Sequence, residues 1–463
     1  MSVLRKLTRA RYFLTTALVG AVALATPSIA QAATTPASPG PVAEPASQPT
    51  PAATVIDSAL VATAPGDQAG DTSIRPFQYH ATDAELADLK RRIEATKWPE
   101  RETVTDNTQG VNLATMQKLA DYWAKNYDWR RAEKQINSYP NYVTDIDGLD
   151  IHFIQVKSKN PNALPVIITH GWPGSVIEQL KIIGPLTDPV AYGGKAEDSF
   201  DVIIPSLPGY GFSGKPTAPG WDVPHIARAW ATLMNRLGYK KYVAQGGDWG
   251  NAISEVMALQ QPPGLVAIHT NMSATLPEAI SKALPAGPPP AGLTPDEQRA
   301  WNQLTDFYVH GLGYAIEMNQ RPQTLYGLAD SPVGLAAWML DHDIQSYDLI
   351  ARVFDGAKEG LTRDDILDNV TLYWLTNTAV SSARLYWENR GGKGGFFDPR
   401  GVPLPTGVSA FRYEIYQAPE SWARKAYPHL VFYKAHDKGT HFAAWEQPQL
   451  LAEDLRDTFR SVR

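Results

Sequence analysis

The sequence predicts an α/β protein: a mostly parallel sheet, a helical insertion late in the chain, and an arm ahead of the sheet. Three observations carry that expectation. The runs Val166-Ile167-Ile168-Thr169 and Asp201-Val202-Ile203-Ile204-Pro205 are short and rich in β-branched residues, like strands buried on both faces. Helical stretches separate such runs, so the strands are joined by crossovers and lie parallel. Third, Gln245-Gly246-Gly247-Asp248-Trp249-Gly250 follows the apolar run Tyr242-Val243-Ala244 and leads into a helical stretch over 251–259. Strand, tight glycine turn and helix follow one another without a break.

Taken in order, residues 1–32 read as a secretory signal. Arg5, Lys6, Arg9 and Arg11 form a basic start, 13–25 is uncharged and mostly apolar, and Ala30-Gln31-Ala32 is a small-residue cleavage site. The apolar stretch is shorter than the ~20 residues that span a bilayer. The expectation is export to the periplasm or medium, with no stable membrane anchor after cleavage. Residues 33–72 are Ala/Pro/Thr-rich, without aromatics, Lys or Arg, and read as a disordered linker.

The arm spans 73–141. Thr82-x-x-Glu85 is a capping box, with Leu86, Leu89 and Ile93 at helical spacing behind it. A second helix is expected over 113–127. Trp129, Ile136, Tyr139 and Tyr142 follow without clean periodicity. This segment is too thin for a core of its own and should wrap a larger body. The sheet occupies 142–275 and resumes at 404–463. It opens with a hairpin over 142–156 whose Asp147-Gly148 suits a type I′ turn. Strands are expected at 166–169, 201–205, 242–244, 266–269, 408–411 and 430–433, and a last helix over 449–461. Between the two parts, 276–403 reads as a helical lid. It contains the capping box Thr294-Pro295-Asp296-Glu297 and one long helical stretch over 364–388, ended by Gly391-Gly392-Lys393-Gly394-Gly395.

Composition narrows the function. The 463 residues carry a net charge of −6, so no basic excess points to nucleic acid. Zero Cys excludes disulfides, thiol nucleophiles and thiolate metal sites. The turn at 246–250 has the form of a nucleophile elbow with aspartate in the serine position. A carboxylate there attacks an electrophilic carbon without first losing a proton. The same residues would also serve a βα turn whose Asp248 caps the helix. His170-Gly171-Trp172-Pro173 ends an earlier strand. Its position suits a loop that gives the Trp172 N–H to an oxyanion, with the Trp249 N–H as second donor, although it also suits a plain tight turn. His441 lies after the last strand and before the last helix, where chain order places the histidine of a triad; His436 is its rival.

With these motifs the chain resembles the microsomal-type epoxide hydrolases of the α/β-hydrolase superfamily, from about Phe77 to the C-terminus. The resemblance rests on Asp128-Trp129-Arg130, 146–153, His170-Gly171-Trp172-Pro173, Gly246-Gly247-Asp248-Trp249-Gly250, 330–338 and His441-Phe442-Ala443-Ala444. It implies Asp248 as nucleophile, Glu414 as the acid that orients His441, and Tyr314 and Tyr386 as ring-opening acids. Asp398, Asp437 and Glu420 rival Glu414 on sequence alone. Thr440 stands where the family commonly has glycine, and Glu317-Met318-Asn319 is unusual after Tyr314. The implied reaction turns a small apolar epoxide and water into a vicinal diol with no metal or organic cofactor. Two other readings are a haloalkane dehalogenase and an exported binding protein that has lost activity. No G-x-S-x-G occurs, which argues against a serine esterase. Homo-oligomerisation is open.

Overall fold

The structure is a computed structural model that describes residues 70–284, 287–390 and 396–463. The signal-like segment, nearly all of the linker and the glycine run at 391–395 lie outside the described residues. No helix among the described residues is long and apolar enough to cross a membrane.

Among the described residues nine strands form one sheet: β1 (Arg75–Phe77), β2 (Asn141–Ile146), β3 (Leu149–Val156), β4 (Leu164–Thr169), β5 (Phe200–Pro205), β6 (Tyr242–Gly246), β7 (Leu265–Thr270), β8 (Thr406–Ala410) and β9 (Leu430–Ala435). Their order is β1-β2-β3-β5-β4-β6-β7-β8-β9. β1, β2 and β3 are antiparallel; from β5 to β9 every pairing is parallel. The turn between β2 and β3 places Asp147 at φ 54° and Gly148 at φ 81°, the paired positive values of a type I′ turn. The sheet reverses its order of addition at β4, with β5 on one side and β6 on the other. Ligand sites of open α/β sheets form beyond the strand ends at such a switch point. Thr169 pairs with Gly246, so the loops leaving β4 and β6 start side by side.

Three helices of the arm lie ahead of the hairpin: α1 (Asp83–Glu94), α2 (Leu113–Lys125) and α3 (Trp129–Asn137). Both halves of the Thr82/Glu85 capping box form. Two arm elements go beyond the sequence expectation. β1 adds a short edge strand beside β2, where Pro76 is tolerated. α3 is helical because Trp129, Ala132, Glu133 and Ile136 fall at helical spacing on one buried face, where the charge of Glu133 breaks the apolar run. That carboxylate is satisfied by the Ala81 N–H, His80 and Arg130. Leu89, Trp123, Trp129 and Ile136 join the same apolar cluster as the sheet.

The arm is tied to the lid. Trp123 Nε1 donates to Thr371 Oγ1 at 3.0 Å, Tyr127 donates to Asp368 at 2.8 Å, and Arg92 reaches Asp330 at 2.9 Å. The lid itself is helical, as expected, with one correction. The long stretch over 364–388 is two helices, Arg363–Leu375 and Ala379–Glu388. Thr376 turns its hydroxyl back onto the Leu372 carbonyl, and Asn377 takes a left-handed φ of 49°. Short polar side chains favour such breaks. The second helix carries Tyr386 into the cavity that Asp248 lines.

Replacing Trp123 by Ala removes a buried indole and its bond to the lid. We expect urea unfolding to show a loss of about 3–5 kcal/mol. An unchanged midpoint would mean that the arm does not contribute to the stability of the lid.

Candidate active site

The elbow depends on backbone contact. α4 (Val176–Thr187) follows the β4 loop, α5 (Val223–Arg236) precedes β6, and α6 (Asp248–Gln260) begins at the elbow. A Cβ on Gly250 would lie 1.9 Å from the Thr169 carbonyl oxygen, and one on Gly246 would lie 2.1 Å from the Gly250 carbonyl carbon. Only glycine permits α6 to start this close to β4. Asp248 takes φ 51°, a strained value for a residue with a side chain. Gly247, not Asp248, is the cap residue of α6, and no side-chain cap bond forms there.

The strained turn presents the Asp248 carboxylate to two partners. The Trp172 N–H donates to Oδ1 at 2.8 Å. Oδ2 lies 3.8 Å from His441 Nε2. Among the described residues no other backbone N–H, that of Trp249 included, bonds this carboxylate. His441 Nδ1 is 2.7 Å from Glu414 Oε1, which also accepts the Ile415 N–H at 2.7 Å. All three side chains are buried. Burial alone would lower the His441 pKa, but Glu414, through charge and hydrogen bond, and then Asp248 and Asp343 outweigh it and hold it up at about 10. Thr440, the departure from the family pattern, bonds Glu446 through both N–H and hydroxyl and so fixes the loop that carries His441.

Two cavities meet at Asp248. The larger, about 320 Å³, is walled by aromatic and aliphatic groups, among them Trp249, Phe307, Leu312 and Phe396, with Asn319 on its rim. Tyr314, on the lid helix Gly313–Gln320, and Tyr386 both line it. Tyr314 stacks on Trp172 at 4.9 Å, and Tyr386 meets Trp249 edge-on at 4.8 Å. Burial pushes both phenols well above their ordinary range; for Tyr314 the Asp248 charge adds to it, and for Tyr386 the neighbouring Tyr314 and then Asp248 do. Both are therefore O–H donors at neutral pH. The smaller cavity, about 10 Å³, lies among Gly171, Glu178, Gly247, Asp248, Asn271 and His441. That is room for one water.

The seven residues singled out in the sequence thus converge, and the rivals do not. His436 is bonded to Asp454 at 2.5 Å and stacks on Phe411. Glu420 pairs with Arg424, and neither Asp398 nor Asp437 lines these cavities. Sequence reading missed two features. Glu178, on α4, is buried, and desolvation pushes its carboxyl up to about 8. His342 and Asp343, in the lid, lie beside Tyr314 and His441. Acids on a buried helix face and a histidine between two aspartates were the available signals. Among the described residues, Asp248, His342 and His441 are also the one trio whose atoms could hold a cation, all within 4.8 Å of one another.

The sheet order and the elbow define an α/β-hydrolase fold, and residues 165–308 match the family described as "alpha/beta hydrolase fold". Residues 74–179 match the family described as "Epoxide hydrolase N terminus". A protein of Stigmatella aurantiaca, provisionally described as an epoxide hydrolase, is 51% identical, with 84% of this chain and 86% of that protein covered. Epoxide hydrolase 1 of Oryctolagus cuniculus is 37% identical, with 83% and 88% covered. The crystal structure of juvenile hormone epoxide hydrolase from the silkworm Bombyx mori is 31% identical with a TM-score of 0.74, and 85% and 96% are covered. The chain belongs to the epoxide hydrolase family.

The His441 shift has a sign that can be checked. Its folded value lies above the ordinary 6.5, so the pairing adds stability below that pH and loses it as pH rises toward about 10. NMR of the His441 imidazole should show it cationic at neutral pH. Asp248→Asn should lower its midpoint by about 1–3 units; no change would mean that the Asp248 charge does not reach it.

Proposed function

We propose that this chain hydrolyses epoxides to vicinal diols through an alkyl ester on Asp248. The observation that carries this is the opposed placement of groups around one carboxylate. Two phenol donors face it from the apolar cavity, and His441 with a water-sized space lies beside it. Oδ1 is already held by the Trp172 N–H, which leaves Oδ2 as the attacking atom. Tyr314 and Tyr386 donate hydrogen bonds to the epoxide oxygen while Oδ2 bonds to one ring carbon and the C–O bond opens. The alkoxide is more basic than a phenolate and takes up a proton.

The second half uses the other cavity. Water there is within reach of His441 and of Glu178, whose raised carboxyl is a hydrogen-bond donor near neutral pH. His441, oriented by Glu414, removes a proton, and hydroxide adds to the ester carbonyl carbon. Oδ1 becomes the oxyanion, stabilised by Trp172 N–H and, as charge develops, by Trp249 N–H. Collapse releases the diol. This route uses no metal or organic cofactor. The apolar cavity favours a small apolar epoxide. The two phenols and the family membership favour epoxide opening over carbon–halogen cleavage. The signal-like N-terminus supports export, and the mass of the mature N-terminus tests it: an intact Met1 would refute cleavage.

Asp248→Ala should abolish diol formation with the fold intact. His441→Gln should accumulate a covalent ester on Asp248, read by peptide mass after quenching. Turnover of His441→Gln at the wild-type rate would remove it as the base. Tyr314→Phe should slow ring opening by roughly 10²–10⁴-fold. A single turnover in isotopically labelled water should place the label in Asp248, not in the diol.

A further inference from the structure

We propose that His342, held by Asp343, passes a proton from His441 to Tyr314 between the two halves of the reaction. This rests on the ester route above. His342 lies between the lid helices Pro332–Leu340 and Ile344–Phe354 and is 1% exposed. Its Nδ1 is 3.0 Å from Asp343 Oδ2. Asp343 is itself fixed, because its other oxygen accepts the Ser346 N–H at 2.8 Å and caps the following helix. This pairing places the proton of the neutral ring on Nδ1 and leaves Nε2 as an acceptor. Nε2 is buried with no hydrogen-bond partner among the described residues. A buried orphan nitrogen is destabilising, and a purely packing role would be served better by an apolar ring.

The position of the ring supplies a reason to keep the nitrogen. Its centroid is 4.5 Å from that of His441 and 5.1 Å from that of Tyr314. A nitrogen of His342, a nitrogen of His441 and an Asp248 oxygen lie within 4.8 Å of one another. His342 is therefore an imidazole that neighbours both the base and one of the ring-opening acids.

The proton balance gives it a task. At rest Asp248 is a carboxylate, His441 is protonated and Tyr314 is a phenol. Ring opening forms the Oδ2–carbon bond, breaks the ring C–O bond and moves the Tyr314 proton to the released oxygen. A phenolate is left on one side and a protonated His441, useless as a base, on the other. Esterification has also removed the Asp248 charge that helped to hold the His441 proton. His342 Nε2 accepts that proton as an imidazolium stabilised by Asp343, then delivers it to the phenolate. Tyr314 is a phenol again and His441 is a neutral base. Water gives His441 a proton, the departing diol oxygen takes it, and the Asp248 carboxyl proton returns to His441. The sum is epoxide plus water to diol. The charged or titratable groups around this path are Asp343 and Asp341 on the lid, Tyr314, Glu414, Glu178 and Asp248.

The test separates the half-reactions with styrene oxide by rapid quench, following the Asp248 ester and the diol. His342→Phe keeps a ring of similar size, and His342→Gln keeps a polar group there without a titratable nitrogen. Both should alkylate at the wild-type rate but hydrolyse the ester about tenfold or more slowly, so that ester accumulates. Their hydrolysis should speed up with rising pH, as bulk base removes the His441 proton, while the wild-type rate stays flat over that range. Unchanged hydrolysis in both variants would overturn the relay. Equal loss of both half-reactions with no pH response would also overturn it and assign His342 a packing role. A wild-type enzyme that forms no Asp248 ester would refute the ester route instead, a result visible before any variant is made.

Discussion

The active site rests on one backbone contact. α6 starts so close to the end of β4 that the Gly250 Cα faces the Thr169 carbonyl with no room for a side chain. That approach forces the left-handed turn at Asp248 and aims its carboxylate at the loop leaving β4. The Trp172 N–H then meets Oδ1 without any further adjustment. The sheet order supplies the other half of the constraint, since β4 and β6 are neighbours only because the chain reverses its direction of addition there. A strained aspartate persists because the surrounding backbone leaves it no alternative.

Electrostatics builds on that geometry. The Asp248 carboxylate and the Glu414 carboxylate lie on opposite sides of one imidazole and keep it charged in a buried place. A charge there would otherwise be costly. On the proposed route, an ester on Asp248 would delete one of the two negative charges. The first step of that route would therefore lower the proton affinity of His441, which Asp248 helps to raise.

The lid and arm act as one clamp. The lid supplies Tyr314, Tyr386, His342 and part of the apolar cavity wall, and the arm holds the lid through Trp123, Tyr127 and Arg92. The break at Asn377 separates the Tyr386 helix from the one before it. Support of this kind holds the two phenols in the wall of the cavity that Asp248 also lines.

The sequence by itself determined the fold class, most strands, the elbow with Asp248 and the chain position of His441, while Glu414, Tyr314 and Tyr386 were implied by the family resemblance. Those features are written in local patterns: β-branched runs, glycines at fixed offsets, and motifs in chain order. Only the tertiary structure decided the rest. α3 escaped notice because its buried face includes Glu133, whose partners His80 and Ala81 are about fifty positions away in the chain. The single lid helix became two because Thr376 and Asn377 outcompeted helix propensity. Glu178, His342 and Asp343 carry no periodic signal, since a polar side chain enters a site through contacts with distant segments. The separation of the two Asp248 oxygens, one on Trp172 and the other facing His441, is likewise a product of folding. It depends on where three loops far apart in the chain come to rest against one another.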